Sequence, residues 1–502
     1  MMKTIYILSL LFLLSCGNEK AKADPANEST ANASTSDAQQ ADNSNDLAPT
    51  NTVIKDPIKG GPADIEINVE GLANGTSLLI GFYAESHFRA DSSTITNGKI
   101  SFKNKEGYNQ GIYYVSISNN EYIQIILGKD QEFEMDTKLG SIVQDMQVKG
   151  SRENELFYKN LKFESAFDKK YKPLVAKIKT FTEGTDSYKS ANEEKLKFEE
   201  ERKAHLKELF DGNEDLLFVS FKQAGQNPTI REGVSDAEKV YFYRTEFWDN
   251  VDFADTRLLR TPVVINKLKR YINELTPQNH DSIFRATKHL VDQTLEHPEY
   301  YKFITNWIAL QYEPTKCSLM DPEYVYVNMV KNYFTKERAF WSDSMQIYAL
   351  QNRAMEMSQS ILGVKGPNVI STDPDGNKKA LMDMTADYLV VYMYNPTCEH
   401  CMIQSPLLVE WYKEWKEKGA DVYAIAVDTN KEEWTDYVKS KGMDIFTNVF
   451  DPSNRSIYAK YYVDITPEIY VLNKDRIIIG KNLKVNQIET IINQDKERQG
   501  KK

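Results

Sequence analysis

Apolar positions first form an unbroken run, Ile5 to Leu14, behind a single lysine, Lys3. Between Gly17 and Asn51 the only large apolar residue is Leu47. Such a stretch cannot bury enough surface to offset the entropy of ordering, which predicts a disordered tether. From about residue 63 to 149 the pattern takes a period of two. The segment DIEINVEG sets Ile65, Ile67 and Val69 on one face, and STITNGKISF places Asn97-Gly98 between strand-like runs, a type I′ hairpin signal. GIYYVSIS and EYIQIILGKDQEFEMDT add strands, so this part is predicted to be a small antiparallel sandwich or barrel.

From about residue 151 the period becomes helical. Leu156, Leu161 and Phe167 share one helix, and ANEEKLKFEEERKAHLKELFDGN reads as a charged amphipathic helix stopping near Gly212. VVINKLKRYINEL carries Ile265, Leu268, Ile272 and Leu275 at spacings of three and four. Residues 241–262 are dense in aromatics and charges, fitting core packing or a docking surface. From about residue 361 strand and helix signals alternate. DYLVVYMYN is a continuous apolar run, as a strand buried on both faces should be. A helix follows with Ile403, Leu407, Trp411 and Trp415 on one stripe and Gly419 as its stop. DVYAIAVD is a second buried strand; NKEEWTDYVKSKG and SNRSIYAKYYV are helices; PEIYVLN and RIIIGKN are strands; NQIETIINQ is a closing helix.

The chain has 502 residues, too many for one core. The predicted organisation is a signal peptide at 1–15, a disordered linker at 16–62, a β-sandwich-like domain at 63–150, a helical domain at 151–360, an α/β domain at 361–495 and a tail at 496–502. Formal net charge is −11 with both signs interspersed and no basic stripe, which argues against nucleic acid as a partner. The first apolar run is too short to span a bilayer and fits an export signal. Its end, LLSC, resembles the bacterial lipobox, in which cleavage leaves the cysteine, here Cys16, lipidated; an ordinary cleaved signal is the alternative. The expected location is exported and lipid-anchored, with the periplasmic side of the outer membrane preferred because Gly17 is not the aspartate that commonly holds lipoproteins at the inner membrane.

Two of the chain's four cysteines, Cys398 and Cys401, stand two residues apart in YNPTCEHC. Structural zinc wants four ligands in two short-spaced pairs, and neither Cys317 nor the six histidines supply a second pair. A structural disulfide closing so small a loop would contribute little stability. A redox pair fits the context. Cys398 falls between a buried strand and a helix, where unpaired backbone N–H groups and the helix dipole favour thiolate. Cys401, one turn inside, would be shielded and placed to resolve a mixed disulfide. No organic or metal cofactor is implied.

The stretch from LGVKGPNVISTDPDGNKKALMDM through YLVVYMYNPTCEHC to DITPEIYVLNKDRIIIG resembles the thioredoxin-like thiol-disulfide oxidoreductases of the TlpA and ResA kind. The upstream territories, including VKGSRENELF, resemble the β-domain and helical domain of unknown function in Bacteroidetes-type lipoproteins. The resemblance implies a thioredoxin fold, with Cys398 attacking and Cys401 resolving. It implies that Pro406 bends the active-site helix, that a cis Thr466–Pro467 bond faces the cysteines, and that Thr466 contacts substrate. Two positions depart from the pattern: Tyr392 stands where thioredoxin has a buried acid, and Gln404 where a TlpA-like glutamate is common. The proton acceptor for Cys401 is left open among His400, Glu468 and water. His400 is also a candidate for lowering the Cys398 pKa, with Glu399 acting in the opposite sense.

The resulting expectation is a lipid-anchored thiol-disulfide oxidoreductase acting on exported client proteins with disulfides or thiols. A membrane reductase or a thioredoxin-like electron donor would reset the pair. The alternatives are a thiol peroxidase, disfavoured because Asn395 stands at the peroxiredoxin threonine position, and a binding lipoprotein with a subsidiary redox module.

Overall fold

A computed structural model describes residues 56–118, 121–231, 233–314 and 316–500. The signal, Cys16 and most of the expected tether lie outside these residues. Strand Ala63–Glu70 buries Ile65, Ile67 and Val69, as its alternation requires. It pairs antiparallel with Lys99–Asn104 but parallel with Gln131–Lys138, so the sandwich is not antiparallel throughout. The chain path explains the difference. Strands Gly75–Tyr83, Ser86–Ile95, Gly111–Ser116 and Tyr122–Leu127 form a second four-stranded sheet, so the chain crosses over before returning to the first.

The Asn97-Gly98 turn has φ of 50° and 78°, the positive values a type I′ turn needs. Pairing nevertheless stops at Thr96 and Lys99, and the flanking strands part into different sheets. The end of the expected tether is also ordered. Gly60 N–H donates to Tyr108 O (2.9 Å) and Gly61 N–H to Lys129 O (2.8 Å). A Cβ on Gly60 would lie 2.6 Å from the backbone oxygen of Gly128, so only glycine lets the chain enter here.

The β and helical parts share one hydrophobic core, running from Ile65 and Phe102 through Leu156, Phe218 and Ile304. Helix Arg152–Ile178 is capped by Ser151, and its first turn joins the two parts. Asn154 accepts from Ile126 N–H and donates to Ile126 O, both at 2.8 Å, like a neighbouring strand. The buried Glu153 carboxylate accepts from Leu217 and Phe218 N–H at 2.8 and 2.7 Å, serving the start of helix Leu217–Ala224. Within 241–262, Phe247, Trp248, Phe253, Leu258 and Leu259 are buried, Phe242 and Tyr243 are half-buried and Tyr241 is exposed, so half of its aromatics are core.

The C-terminal sheet has seven strands, in the order Lys378–Ala380, Ile370–Thr372, Thr447–Asp451, Ala420–Val427, Tyr388–Tyr394, Glu468–Leu472, Ile478–Gly480. The first three are short strands beyond the predicted alternation; they hold three to five residues and carry too little apolar pattern to stand out. The closing helix, Val485–Gly500, runs past the expected boundary at 495. The helical part grips this module through buried charge. Lys481 Nζ lies 3.2 Å from Glu323 and 3.8 Å from Asp321, all three buried. Asn482 donates from Nδ2 to Met320 O (3.2 Å) and from its backbone to Glu468 Oε1 (2.8 Å).

Candidate active site

Strand Tyr388–Tyr394, buried at every position, delivers the chain to a turn organised by Asn395. The Asn395 carbonyl accepts from Cys398 N–H (3.1 Å), and its Oδ1 accepts from Thr397 N–H (2.8 Å). Cys398 is thereby the N-cap of helix Glu399–Trp415, and its Sγ accepts from the Cys401 N–H at 3.4 Å. The Cys398 thiol also faces Thr466 O across 3.1 Å, and the Thr466–Pro467 bond is cis. Cys398 is half-buried, Cys401 fully buried, and both are free thiols.

The two sulfurs are electrostatically unequal. Desolvation works against the Cys398 thiolate, but is outweighed by donation from the Cys401 thiol and N–H, Thr466 and the His400 N–H, so its pKa is lowered. For Cys401, burial dominates and hydrogen bonding to Cys398 adds to it, pushing the thiol up to about 12. A half-exposed sulfur biased toward thiolate beside a buried sulfur held as thiol is the asymmetry of an attacking and a resolving cysteine.

The other residues singled out in the sequence are dispersed around this pair. The exposed His400 contributes its backbone N–H to Cys398, and its imidazole makes no hydrogen bond among the described residues; Glu399 is also exposed. Gln404 Oε1 accepts from Val485 N–H (3.0 Å), tying the active-site helix to the start of the closing helix. Pro406 lies inside the active-site helix. Glu468 is opposite Met393 in the sheet register, and so shares the face of Met393 and Tyr470, whereas Cys401 packs with Tyr392 and Ile469 on the other. It belongs to the Lys481 cluster. Tyr392 is beneath the active-site helix, its hydroxyl 2.8 Å from Ser405 Oγ.

The apolar stripe expected on this helix is only partly a buried face. Ile403 and Leu407 are 60% and 51% exposed, while Cys401, Ser405, Leu408, Tyr412 and Trp415 face the core. Sequence reasoning passed over Ser405, Tyr437 and Lys481, whose partners come from distant segments. Cys317 is half-buried and accepts a 3.5 Å contact from Leu319 N–H. Among the described residues no group of three or more His, Cys, Asp or Glu is arranged to hold a metal ion.

Fold and site together define a thioredoxin-like dithiol module carried behind two further domains. Residues 362–486 match the AhpC/TSA family, residues 64–157 a domain of unknown function (DUF4369), and residues 185–354 another (DUF5106). The thiol-disulfide oxidoreductase ResA of Bacillus subtilis is 27% identical over 139 residues, 28% of this chain and 74% of that protein. A solved domain of a possible thiol-disulfide isomerase from Cytophaga hutchinsonii is 31% identical, covering 28% of this chain and 97% of that one, with a TM-score of 0.27. A thioredoxin-like protein from Bacteroides caccae is 20% identical over 53% of this chain and 97% of its own, with a TM-score of 0.44. The C-terminal module has a thioredoxin fold and is similar to the ResA thiol-disulfide oxidoreductases.

Proposed function

We propose that this protein is an exported, lipid-anchored thiol-disulfide oxidoreductase that exchanges disulfides with client proteins through Cys398 and Cys401. The observation that carries the reading is the contrast between a Cys398 thiol lowered at a helix N-terminus and a Cys401 thiol held up by burial. In the reducing direction the Cys398 thiolate attacks one sulfur of a client disulfide. The client S–S bond breaks, and the departing client thiolate takes a proton from water. Cys401 then loses its proton and attacks Cys398 Sγ, releasing the second client thiolate and leaving the Cys398–Cys401 disulfide. A membrane reductase or thioredoxin-like donor returns two electrons to the pair. Thr466, beside the half-buried Cys398, is the proposed contact for an extended client segment. Cys16 is the proposed anchor, with residues 17–55 as tether. Among the described residues no helix is long and apolar enough to cross a membrane.

Replacing Cys401 with serine should trap client mixed disulfides on Cys398, visible as high-mass bands on non-reducing gels and identifiable by mass spectrometry. Capture by Cys398→Ser in place of Cys401→Ser would reverse the assigned roles. A second reading, peroxide reduction at Cys398, is favoured by the AhpC/TSA match alone. Thiol-dependent consumption of hydrogen peroxide at a rate exceeding that of disulfide exchange would put it first.

A further inference from the structure

Resolution requires Cys401 as thiolate, yet this thiol is buried and its environment favours the proton. The groups acting on it are Cys398, Asn395, Thr466 and the tyrosines Tyr392, Tyr394 and Tyr437. Its sequence neighbours Glu399 and His400 are exposed, and Glu468 faces the other side of the sheet. Among the described residues, therefore, neither of these carboxylates nor the His400 imidazole is placed beside Cys401 to receive the proton.

A row of hydroxyls lies next to it, close enough that Tyr392 and Tyr437 feel its charge. Ser405 follows Cys401 by one helical turn on the same buried face. Its Oγ lies 2.8 Å from the Tyr392 hydroxyl and 2.9 Å from the Tyr437 hydroxyl. The three come from three elements: the central strand, the active-site helix and helix Lys431–Lys441. Tyr394 stacks between Tyr392 and Tyr437, at ring separations of 5.2 and 5.3 Å, and holds the pair in place. Each hydroxyl can donate and accept, so the row can reverse its direction by rotating O–H bonds. Tyr392 and Ser405 are 0% exposed and Tyr437 is 6%, so Tyr437 is the least buried member of the row.

We propose that Tyr392, Ser405 and Tyr437 are the proton path of Cys401, an inference that rests on the dithiol reading above. As Cys401 attacks, its Sγ–H proton enters the row and a proton leaves from Tyr437 to water. The electron pair left on Cys401 Sγ forms the bond to Cys398 Sγ, and the bond from Cys398 to the client sulfur breaks. The row moves a proton without itself ionising. Its members are positioning and relay residues, distinct from the sulfurs that react with client.

The test uses the reduced full chain and an aryl disulfide whose thiolate is coloured. One equivalent of colour appears on attack by Cys398 and the second on resolution by Cys401, so a single trace separates the steps. Tyr392→Phe and Ser405→Ala should leave the first phase unchanged and slow the second by about tenfold or more. Ser405→Thr, which restores a hydroxyl, should recover part of that loss. Tyr437→Phe, the smallest change at the outer end, should reproduce the slow second phase if the inner variants fold poorly. The wild-type second phase should show a multi-proton solvent isotope effect that the variants lose. Resolution at the wild-type rate in the Tyr392→Phe and Tyr437→Phe proteins would overturn the path, as would equal slowing of both phases, which marks a merely structural role. A wild-type protein that releases no first equivalent would instead remove the dithiol reading itself.

Discussion

At the residue scale, the activation of Cys398 is a property of the backbone. The N–H groups of His400 and Cys401 point at its sulfur, while the His400 imidazole is exposed. His400→Ala should accordingly leave the Cys398 pKa and the reduction potential of the pair nearly unchanged. His400→Pro removes the N–H at a position in the first helical turn where proline is tolerated. Losing one charge-assisted hydrogen bond should raise the Cys398 pKa by on the order of one unit. It destabilises the thiolate-bearing reduced form, so the potential should become more negative. Thiolate absorbance titrations and equilibration with glutathione would measure both; a large shift in the alanine variant would restore the imidazole as the source. The cysteine pair itself was legible because Cys-x-x-Cys between an apolar strand and a helix is a local signal. Of the row proposed to carry its proton, only Tyr392 stood out, as the residue in place of the buried acid of thioredoxin. Tyr392, Ser405 and Tyr437 meet only after a strand and two helices pack, and nothing in the spacing of the three announces it.

At the element scale, periodicity located the helices and misjudged how far one apolar face was buried. Ile403 and Leu407 belong to the apolar stripe of the active-site helix yet are largely exposed, because the buried stripe runs through Cys401, Ser405 and Leu408. Hydrophobicity alone cannot separate a core face from an apolar surface beside a reactive thiol. In VKGSRENELF, by contrast, polar residues do structural work. Asn154 closes two backbone hydrogen bonds on Ile126 at the edge of the strand Tyr122–Leu127. Asn154→Ala would leave a buried N–H and a buried carbonyl without partners, at about 1–3 kcal/mol for each. Asn154→Asp should cost at least as much, since its carboxylate would be buried against the Ile126 carbonyl. Denaturant titrations of the two variants would check this, and an unchanged midpoint for alanine would remove Asn154 as the joint between sheet and helix.

At the scale of the whole molecule, the helical part and the redox module meet through a buried charge cluster that also reaches the loop facing Cys398. Glu468 follows Pro467 directly, accepts from Asn482 N–H, and stands within the influence of Lys481 and Glu323. None of this pairing was legible beforehand, because Asp321 and Glu323 lie about 160 residues from Lys481 in sequence and the pairing exists only once the two domains dock. Burial, ahead of the opposing pull of Lys481, pushes the Glu468 carboxyl up to about 8. In the unfolded chain a glutamate titrates near about 4.3. Between these values the unfolded chain gives up the proton while the folded protein keeps it, so the stability contributed by this group falls as pH rises through that window. Asp321, pushed up mainly by burial to about 6, adds a slope of the same sign lower in the range, whereas Lys481 has its pKa raised and stays charged throughout. From about pH 6 to 8 the lowered pKa values of Lys267, His205 and His280 also act, so Glu468 is isolated by comparison with its own variant. Glu468→Gln removes the titration and keeps an oxygen for the Asn482 N–H. Relative to this variant, the wild-type protein should lose on the order of a few kcal/mol across the interval, read by denaturant titration at several pH values. Parallel stability curves for the two proteins would mean that Glu468 carries no proton in the folded state, and that the cluster holds the domains together as a fully ionised set.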